Sequence, residues 1–402
     1  MEHPALSANG RSFLQACLTL QRRQRRQRRL SIGALAGLLL LLTGLGWYTY
    51  ERDRMQRQAI AAAESPWIRP QGPSFSDPVT DLQYVPGQSP GFYVATNDLG
   101  VGRSSDGLSW AFTPAAQLGL PTGPPAGGDP AKIVSIITHI AVDLVNSQHL
   151  LATAEEHGVY RSDDGAGNWA PSGEGINPAL LTRGVFNGLS LHGELAVLGL
   201  YVKGGADPVD RQGRIFLSAD GGTHWRDVTP AETGQIYTVA LDPLGETIFL
   251  GTARGVFSAP APQNESAQPT WEQRPGLPPT LAIGFGDDNS SVYLATDGEG
   301  TGTLKTYCWA RTTRQLTLLS TTDDQALVLA PRPEALYLLQ KNGTVLQMLL
   351  GDDRCSLRKL TVLRAHPGFA FTLLAVPQGE QTRLLLGHEL GVLEYREQLR
   401  AR

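Results

Sequence analysis

Short polar loops between apolar runs hold Asp98, then Glu155, Glu156 and His157, then Arg254, Asp297, Glu299, Lys341, His388 and Glu389. One longer loop adds Lys203, Asp207, Asp210 and Arg211. Carboxylates in this number could do one familiar kind of chemistry. Two of them, about 5–9.5 Å apart across a sugar, hydrolyse a glycosidic bond. The same mixture of acids and bases could instead form a surface that binds a protein or a glycan. Spacing does not single out an acid–base pair, so no residue takes a catalytic role here. Walker, HExxH, GxSxG and CxxC patterns are absent from the sequence. The eight histidines are scattered, and neither a metal site nor a cofactor is expected. His157 and His388 stand out only because both fall in loops of one kind, and a place on a solvated surface accounts for them better.

The elements that must position these loops repeat. A short apolar strand, Ala/Gly-Thr, a polar loop and Gly-Val opening a further strand recur as FYVATNDLGV from Phe92, LLATAEEHGV from Leu150 and IFLGTARGV from Ile248. VYLATDGEGTG from Val292, ALYLLQKNGTV from Ala335 and LLLGHELGV from Leu384 fit the same slot. GELAVLGLYVKGGADPVDRQGRIF from Gly193 fits it with an insertion. An apolar run precedes each copy, such as ITHIAVD at Ile137, and most are followed by a turn and another short strand. With 45 glycines and 27 prolines as punctuation, the chain reads as all-β. Seven four-stranded units, A to D, predict a seven-bladed β-propeller over residues 66–402. The seventh unit lacks a fourth strand, and PWIRPQG at Pro66 is the expected substitute, closing the ring from the N-terminal side. In such a meander the B–C and D–A loops share one end, so the polar loops should ring one mouth of the central channel. The loop from Thr113 to Lys132 should open on that side too.

A second repeat falls between strands C and D. RSSDGLSW runs from Arg103, RSDDGAGNW from Arg161 and LSADGGTHW from Leu217. Ser104, Asp106 and Trp110, Ser162, Asp164 and Trp169, and Ser218, Asp220 and Trp225 share one spacing in outline. The aspartate suits acceptance of its own turn's N–H groups, and the tryptophan suits packing over the hairpin. The fourth unit keeps Ser258 and Trp271. A feature that recurs is architectural rather than catalytic.

This Ser-x-Asp-Gly…Trp pattern resembles the Asp-box, or bacterial neuraminidase repeat, over Pro66 to Arg402. The resemblance implies a propeller whose boxes are structural turns at the blade periphery, away from any ligand. Such propellers include sialidases, xyloglucan-cleaving glucanases, sortilin-type receptors and photosystem II assembly factors. Sialidases carry Arg-Ile-Pro near the start, where this chain reads Ile68-Arg69-Pro70, and their arginine triad has no counterpart that can be assembled. In size, one seven-bladed ring is most similar to the assembly factors. The expectation is a non-enzymatic binding or scaffold module for a protein or glycan. The alternative is a glycoside hydrolase, sialidase-like or xyloglucanase-like.

The N-terminus adds an address. In residues 1–29, Arg11 and the six arginines of QRRQRRQRR face one acid, Glu2, while the remainder holds 27 basic against 37 acidic residues. Leu30 to Tyr50 carries no charge, and 21 helical residues would span roughly 31 Å, one bilayer core. Arginines before the span place residues 1–29 in the cytoplasm, 30–50 in membrane lipid as a single-pass helix and 51–65 in a stalk. The propeller is then extracytoplasmic. Gly33 and Gly37 form a GxxxG that suits helix dimerisation. The arginine block reads as a topology signal, not a nucleic-acid site. Cys308 and Cys355 fall in adjacent units; an oxidising compartment would allow them to pair, although their strands differ.

Overall fold

The computed structural model describes residues 65–68, 75–87, 89, 91–112, 119–121, 136–202, 213–262, 267–274, 276–297, 303–363, 368–379 and 381–396. The proposed tail, the span with Gly33 and Gly37, and the stalk up to residue 64 lie outside them, while Ser65, the last stalk residue, is buried. Among the described residues no helix is long and apolar enough to cross a membrane. The chain divides into Met1–Glu64 and Ser65–Arg402, and the second unit holds every sheet.

Seven four-stranded antiparallel sheets make the blades of a β-propeller. Blade 1 is β2 (Val79–Tyr84), β3 (Phe92–Thr96), β4 (Val101–Ser104) and β5 (Ala111–Phe112). Blade 2 is β6 (Ile137–Val142), β7 (Leu150–Ala154), β8 (Gly158–Ser162) and β9 (Ala170–Pro171). A short helix, α1 (Pro178–Arg183), leads to blade 3, which is β10 (Val185–His192), β11 (Leu195–Tyr201), β12 (Arg214–Ser218) and β13 (Arg226–Asp227). Blade 4 is β14 (Ile236–Leu241), β15 (Thr247–Thr252), β16 (Gly255–Pro260) and β17 (Glu272–Gln273). Blade 5 is β18 (Thr280–Phe285), β19 (Ser291–Asp297), β20 (Leu304–Ala310) and β21 (Gln315–Thr322). Blade 6 is β22 (Ala326–Arg332), β23 (Ala335–Gln340), β24 (Val345–Leu350) and β25 (Leu357–Leu363). Blade 7 is β26 (Ala370–Gln378), β27 (Gln381–His388) and β28 (Gly391–Tyr395), with β1 (Trp67–Ile68) paired to β28 on its outer side.

The A strands pack in sequence, β2 on β6, β10, β14, β18, β22 and β26, and β26 packs back on β2. The B strands are buried almost throughout, because both their faces meet neighbouring blades. That double burial is why FYVAT and LLATA read as unbroken apolar runs.

The Ala/Gly-Thr…Gly-Val repeat has a local cause. Thr96, Thr252 and Thr296 are fully buried. Thr96 and Thr252 donate from Oγ1 to the carbonyls of Gly100 and Gly255, at 2.9 Å in each case. Gly255 sits at a φ of 96°, where a side chain would be strained.

At the other end of the blades, Ser and Asp build the C–D turn. Ser162 Oγ donates to Asp164 Oδ1 at 2.9 Å, and that oxygen accepts from the N–H groups of Gly167 and Asn168 at 2.9 and 2.7 Å. The same pairing recurs between Ser104 and Asp106 and between Ser218 and Asp220. Trp110, Trp169 and Trp225 are all buried. Cys308 of β20 and Cys355, in the turn after β24, form a disulfide between blades 5 and 6. The argument against pairing, that their strands differ, fails because the C strand of one blade faces the C–D turn of the next.

Candidate functional site

The loop end is defined by one recurring hydrogen bond. In six blades a B–C turn N–H donates to the carbonyl of a residue at the start of the A strand. The pairs are Asn97 to Pro78, Glu155 to Ile136, Ala253 to Gln235, Asp297 to Pro279, Lys341 to Gln325 and Glu389 to Phe369, at 2.7–3.0 Å. The B–C turns and the D–A links therefore share an end. The C–D turns sit with the A–B turns at the opposite end, through bonds such as Gly165 to Gln148 and Gly221 to Glu194.

Several of the sequence-derived residues reach this mouth. Asp98 is exposed, and the backbone N–H groups of Asp98 and Leu99 are held by the buried Asp77 carboxylate at 2.8 and 3.0 Å. Glu155, Glu156 and His157 form a tight, half-buried turn with Glu156 at a φ of 62°. Beside them, α1 packs Leu181 against Gly158. Arg254 pairs with Glu232 at 3.1 Å, with both side chains mostly exposed, a contact that contributes little stability. Asp297 is half-buried at the end of β19. Burial, with the Asp297 carboxylate adding to it, pushes the Tyr237 phenol above its usual range. Lys341 is exposed and Glu389 half-buried. Lys203, Asp207, Asp210, Arg211, Glu299 and most of the loop from Thr113 to Lys132 lie outside the described residues.

His388 is a correction. It is fully buried at the end of β27, with Nδ1 accepting from the Leu390 N–H at 3.1 Å. Reading it as the first loop residue set the strand end one position too early, so its side chain supports the turn from inside.

The sequence reading missed a second ring. Every A strand carries one unpaired residue near its start: Thr80, Thr138, Asn187, Tyr237, Leu281, Leu327 and Phe371 in blades 1 to 7. A bulge re-aims the side chain it inserts. In blades 1 to 4 the inserted residue is polar. Thr80 donates to the Ile137 carbonyl and Asn187 Nδ2 to the Ile236 carbonyl at 2.6 Å, so each caps the free edge of the next A strand. In blades 5 to 7 it is apolar. Leu327 and Phe371 are 38% and 42% exposed, with Phe369 at 69% beside them. Leu390 and Leu99, in the neighbouring B–C turns, are also exposed. An arc of exposed apolar residues is thus distributed over the loop end of blades 6, 7 and 1, on turns and links that also hold Asp98, Asp324 and Glu389. The available signal was the extra residue in each A run, which a strict two-residue alternation passes over.

Two further groups lie deeper. Asp81 on β2 is half-buried and accepts from the Ile140 N–H of blade 2 at 3.0 Å; burial pushes its carboxyl up to about 7. His139 on β6 is pushed down to about 4 by burial. A cleft of about 250 Å³ opens between the A strands of blades 1 to 4, lined by residues including Gln83, Ser190, His192 and Asp242. None of the loop residues lines it, and its turn residues belong to the A–B end. Among the described residues no group of three or more His, Cys, Asp or Glu side chains is placed to hold a metal.

No family model and no curated protein matches the chain. Its fold is similar to that of solved structures. An ancestral GH74 enzyme aligns with a TM-score of 0.53 and 16% identity over 80% of this chain, which spans only 45% of that enzyme. YCF48 from Cyanidioschyzon merolae aligns with a TM-score of 0.53 and 14% identity, covering 82% of this chain and 98% of that one. A structure of YCF48 bound to a D1 peptide aligns equally well, at 14% identity over 83% and 97%. At these identities the likeness is one of fold.

Proposed function

We propose that the protein is a membrane-tethered, extracytoplasmic propeller that holds a segment of a partner protein on its loop end. The observation that carries this reading is the arc of Leu327, Phe369, Phe371, Leu390 and Leu99. Exposed apolar side chains carried at one end of neighbouring blades on a rigid frame suit a binding face. The Cys308–Cys355 disulfide supports an oxidising compartment, which agrees with the arginine-flanked uncharged span as an anchor. β1 serves as the clasp of the ring, and the Ser-Asp turns are of the Asp-box type. That YCF48 has been solved with a D1 peptide lends the fold a precedent for peptide binding.

The glycoside hydrolase reading keeps one specific support, the raised carboxyl of Asp81. It needs a second carboxylate across a sugar from the first. Hydrolysis of a β-glucan or sialoside panel that Asp81→Asn abolishes would establish that reading in place of this one.

The test is site-specific photo-crosslinking in intact cells. A photoreactive residue at Phe371 or Phe369 should give a discrete adduct that one at Thr223, in a C–D turn, does not. The Phe369→Ser/Phe371→Ser pair should abolish an adduct formed from Leu390. Equal labelling from both ends, or none from the arc, would remove the assignment. Protease added outside sealed cells should reach residues 66–402 and spare the N-terminal tail; protection of the propeller overturns the topology.

A further inference from the structure

The outer rim of the ring is uneven. Blades 1 to 4 finish in two-residue strands, and blade 7 in the two residues of β1. Blades 5 and 6 finish in β21, with eight residues, and β25, with seven. Both are terminal in their sheets, so each presents a row of backbone N–H and C=O groups outward. Shortness protects the other rims, and β25 carries the exposed charges of Arg358 and Lys359. β21 has neither of these, and its one bulge, at Leu319, leaves Gln315–Leu318 straight. Its sequence, QLTLLSTT, contains no charge, no proline and no glycine. Leu316 and Leu318 are 39% and 51% exposed. They oppose Trp309 and Tyr307 of β20 in register, so an apolar stripe crosses the blade and ends at solvent.

We propose that β21 pairs antiparallel with β21 of a second copy of this chain, about a two-fold axis at Thr317. That register sets Leu316 of each copy opposite Leu318 of the other and joins the two apolar stripes into one. Thr317 meets its counterpart on the opposite face. A two-fold contact brings identical patches together, so like charges are what ordinarily forbids it. β21 brings none, whereas β25 paired on itself would crowd Arg358 and Lys359. Arg314 precedes the strand and Asp323 and Asp324 follow it; about Thr317, Arg314 of each copy falls opposite Ser320 of the other, so the register brings no like charges together. A charged partner strand finds no counter-charge along β21. The chain's own strand matches it in neutrality and length. This contact is separate from the loop end and does not depend on how that end is used.

The test uses the full chain with Cys17→Ser, leaving Cys308 and Cys355 bonded to each other. With Thr317→Cys added, mild oxidation should give a disulfide-linked dimer on a non-reducing gel. Val362→Cys on β25 should give none. By analytical sedimentation in detergent, Leu318→Lys should weaken self-association by about ten-fold or more, with melting unchanged because the side chain is half exposed. Gly33→Leu/Gly37→Leu, run in parallel, should not alter the Thr317→Cys cross-link. The proposal fails if Thr317→Cys cross-links no better than Val362→Cys. It fails equally if Leu318→Lys sediments as the parent does.

Discussion

Arg161 of blade 2 donates from Nη1 to the main-chain carbonyls of Asp220 and Gly221 in blade 3, at 2.9 and 3.1 Å. Arg103 reaches Gly165 in the same way from blade 1 to blade 2, at 3.2 Å, and Arg383 of blade 7 reaches Asp106 of blade 1. The arginine that opens RSDDG therefore belongs to the next blade's turn as much as to its own. It adds a charged donor to carbonyls that Thr223 Oγ1 and His149 Nε2 also contact. Arg161→Ala should cost about 2 kcal/mol, the worth of hydrogen bonds from a charged donor. Arg161→Lys should recover part of the loss. Urea denaturation checks this; a variant as stable as the parent would reduce the contact to decoration.

Trp225 is buried, and its indole N–H donates to the Ser172 carbonyl of blade 2 at 2.7 Å. Trp225→Ala should cost about 3–5 kcal/mol through the cavity it leaves. Trp225→Phe keeps much of the packing and loses the bond, so about 1–2 kcal/mol is expected. Partner cross-linking from Phe371 should be unchanged in the Phe variant, because the C–D turns lie at the far end.

Trp67 is 2% exposed, pairs in register with Tyr395 and stacks edge-on against it at 5.1 Å. Arg396 N–H extends the pairing to the Pro66 carbonyl at 2.8 Å. Deleting residues 66–72 should lower stability by several kcal/mol, since a large buried side chain and ladder bonds go together. An unaltered melting temperature would show that the pairing closes nothing.

Asp81 and His139 follow the bulge on neighbouring A strands, and their titrations oppose each other. Asp81, raised from 3.8 to about 7, keeps its proton in the fold after the unfolded chain has released it, so stability falls as pH rises through that window. His139, lowered from 6.5 to about 4, stays neutral while the unfolded chain has charged, so stability falls as pH drops through its window. Between pH 4 and 6.5 the two slopes offset. Asp81→Asn should expose the histidine slope, gaining stability from pH 4 to 6.5. It should also exceed the parent at pH 7.5 by about 2–4 kcal/mol. Denaturation in half-unit pH steps measures this, and a flat profile for the variant would contradict it.

The blade count was legible because the B strands are buried on both faces and several B–C turns repeat one pattern, with the same threonine and glycine in blades 1 and 4. Sequence reads such local demands well. The apolar arc was not legible, since Leu327 and Phe371 sit in runs that look like any buried strand. Only the bulge turns them outward. The role of Arg161 escaped for a different reason, because its partner lies 59 residues away in a blade the local pattern says nothing about. Asp81 looked like one acid among many until its enclosure between two A strands was visible. His388 shows the converse error, in which a polar residue beside a glutamate in a short turn reads as surface.

Because Trp67 and Tyr395 are neighbours in one sheet, the propeller has no natural beginning. Its two termini could be spliced by a few residues and the chain cut instead at a B–C turn, such as that between Thr252 and Gly255. The permuted order would fold to the same ring, with the splice where the sheet is already continuous. The point at which the chain enters the ring could then be moved from blade to blade, presenting a different arc of the rim to whatever is fused there.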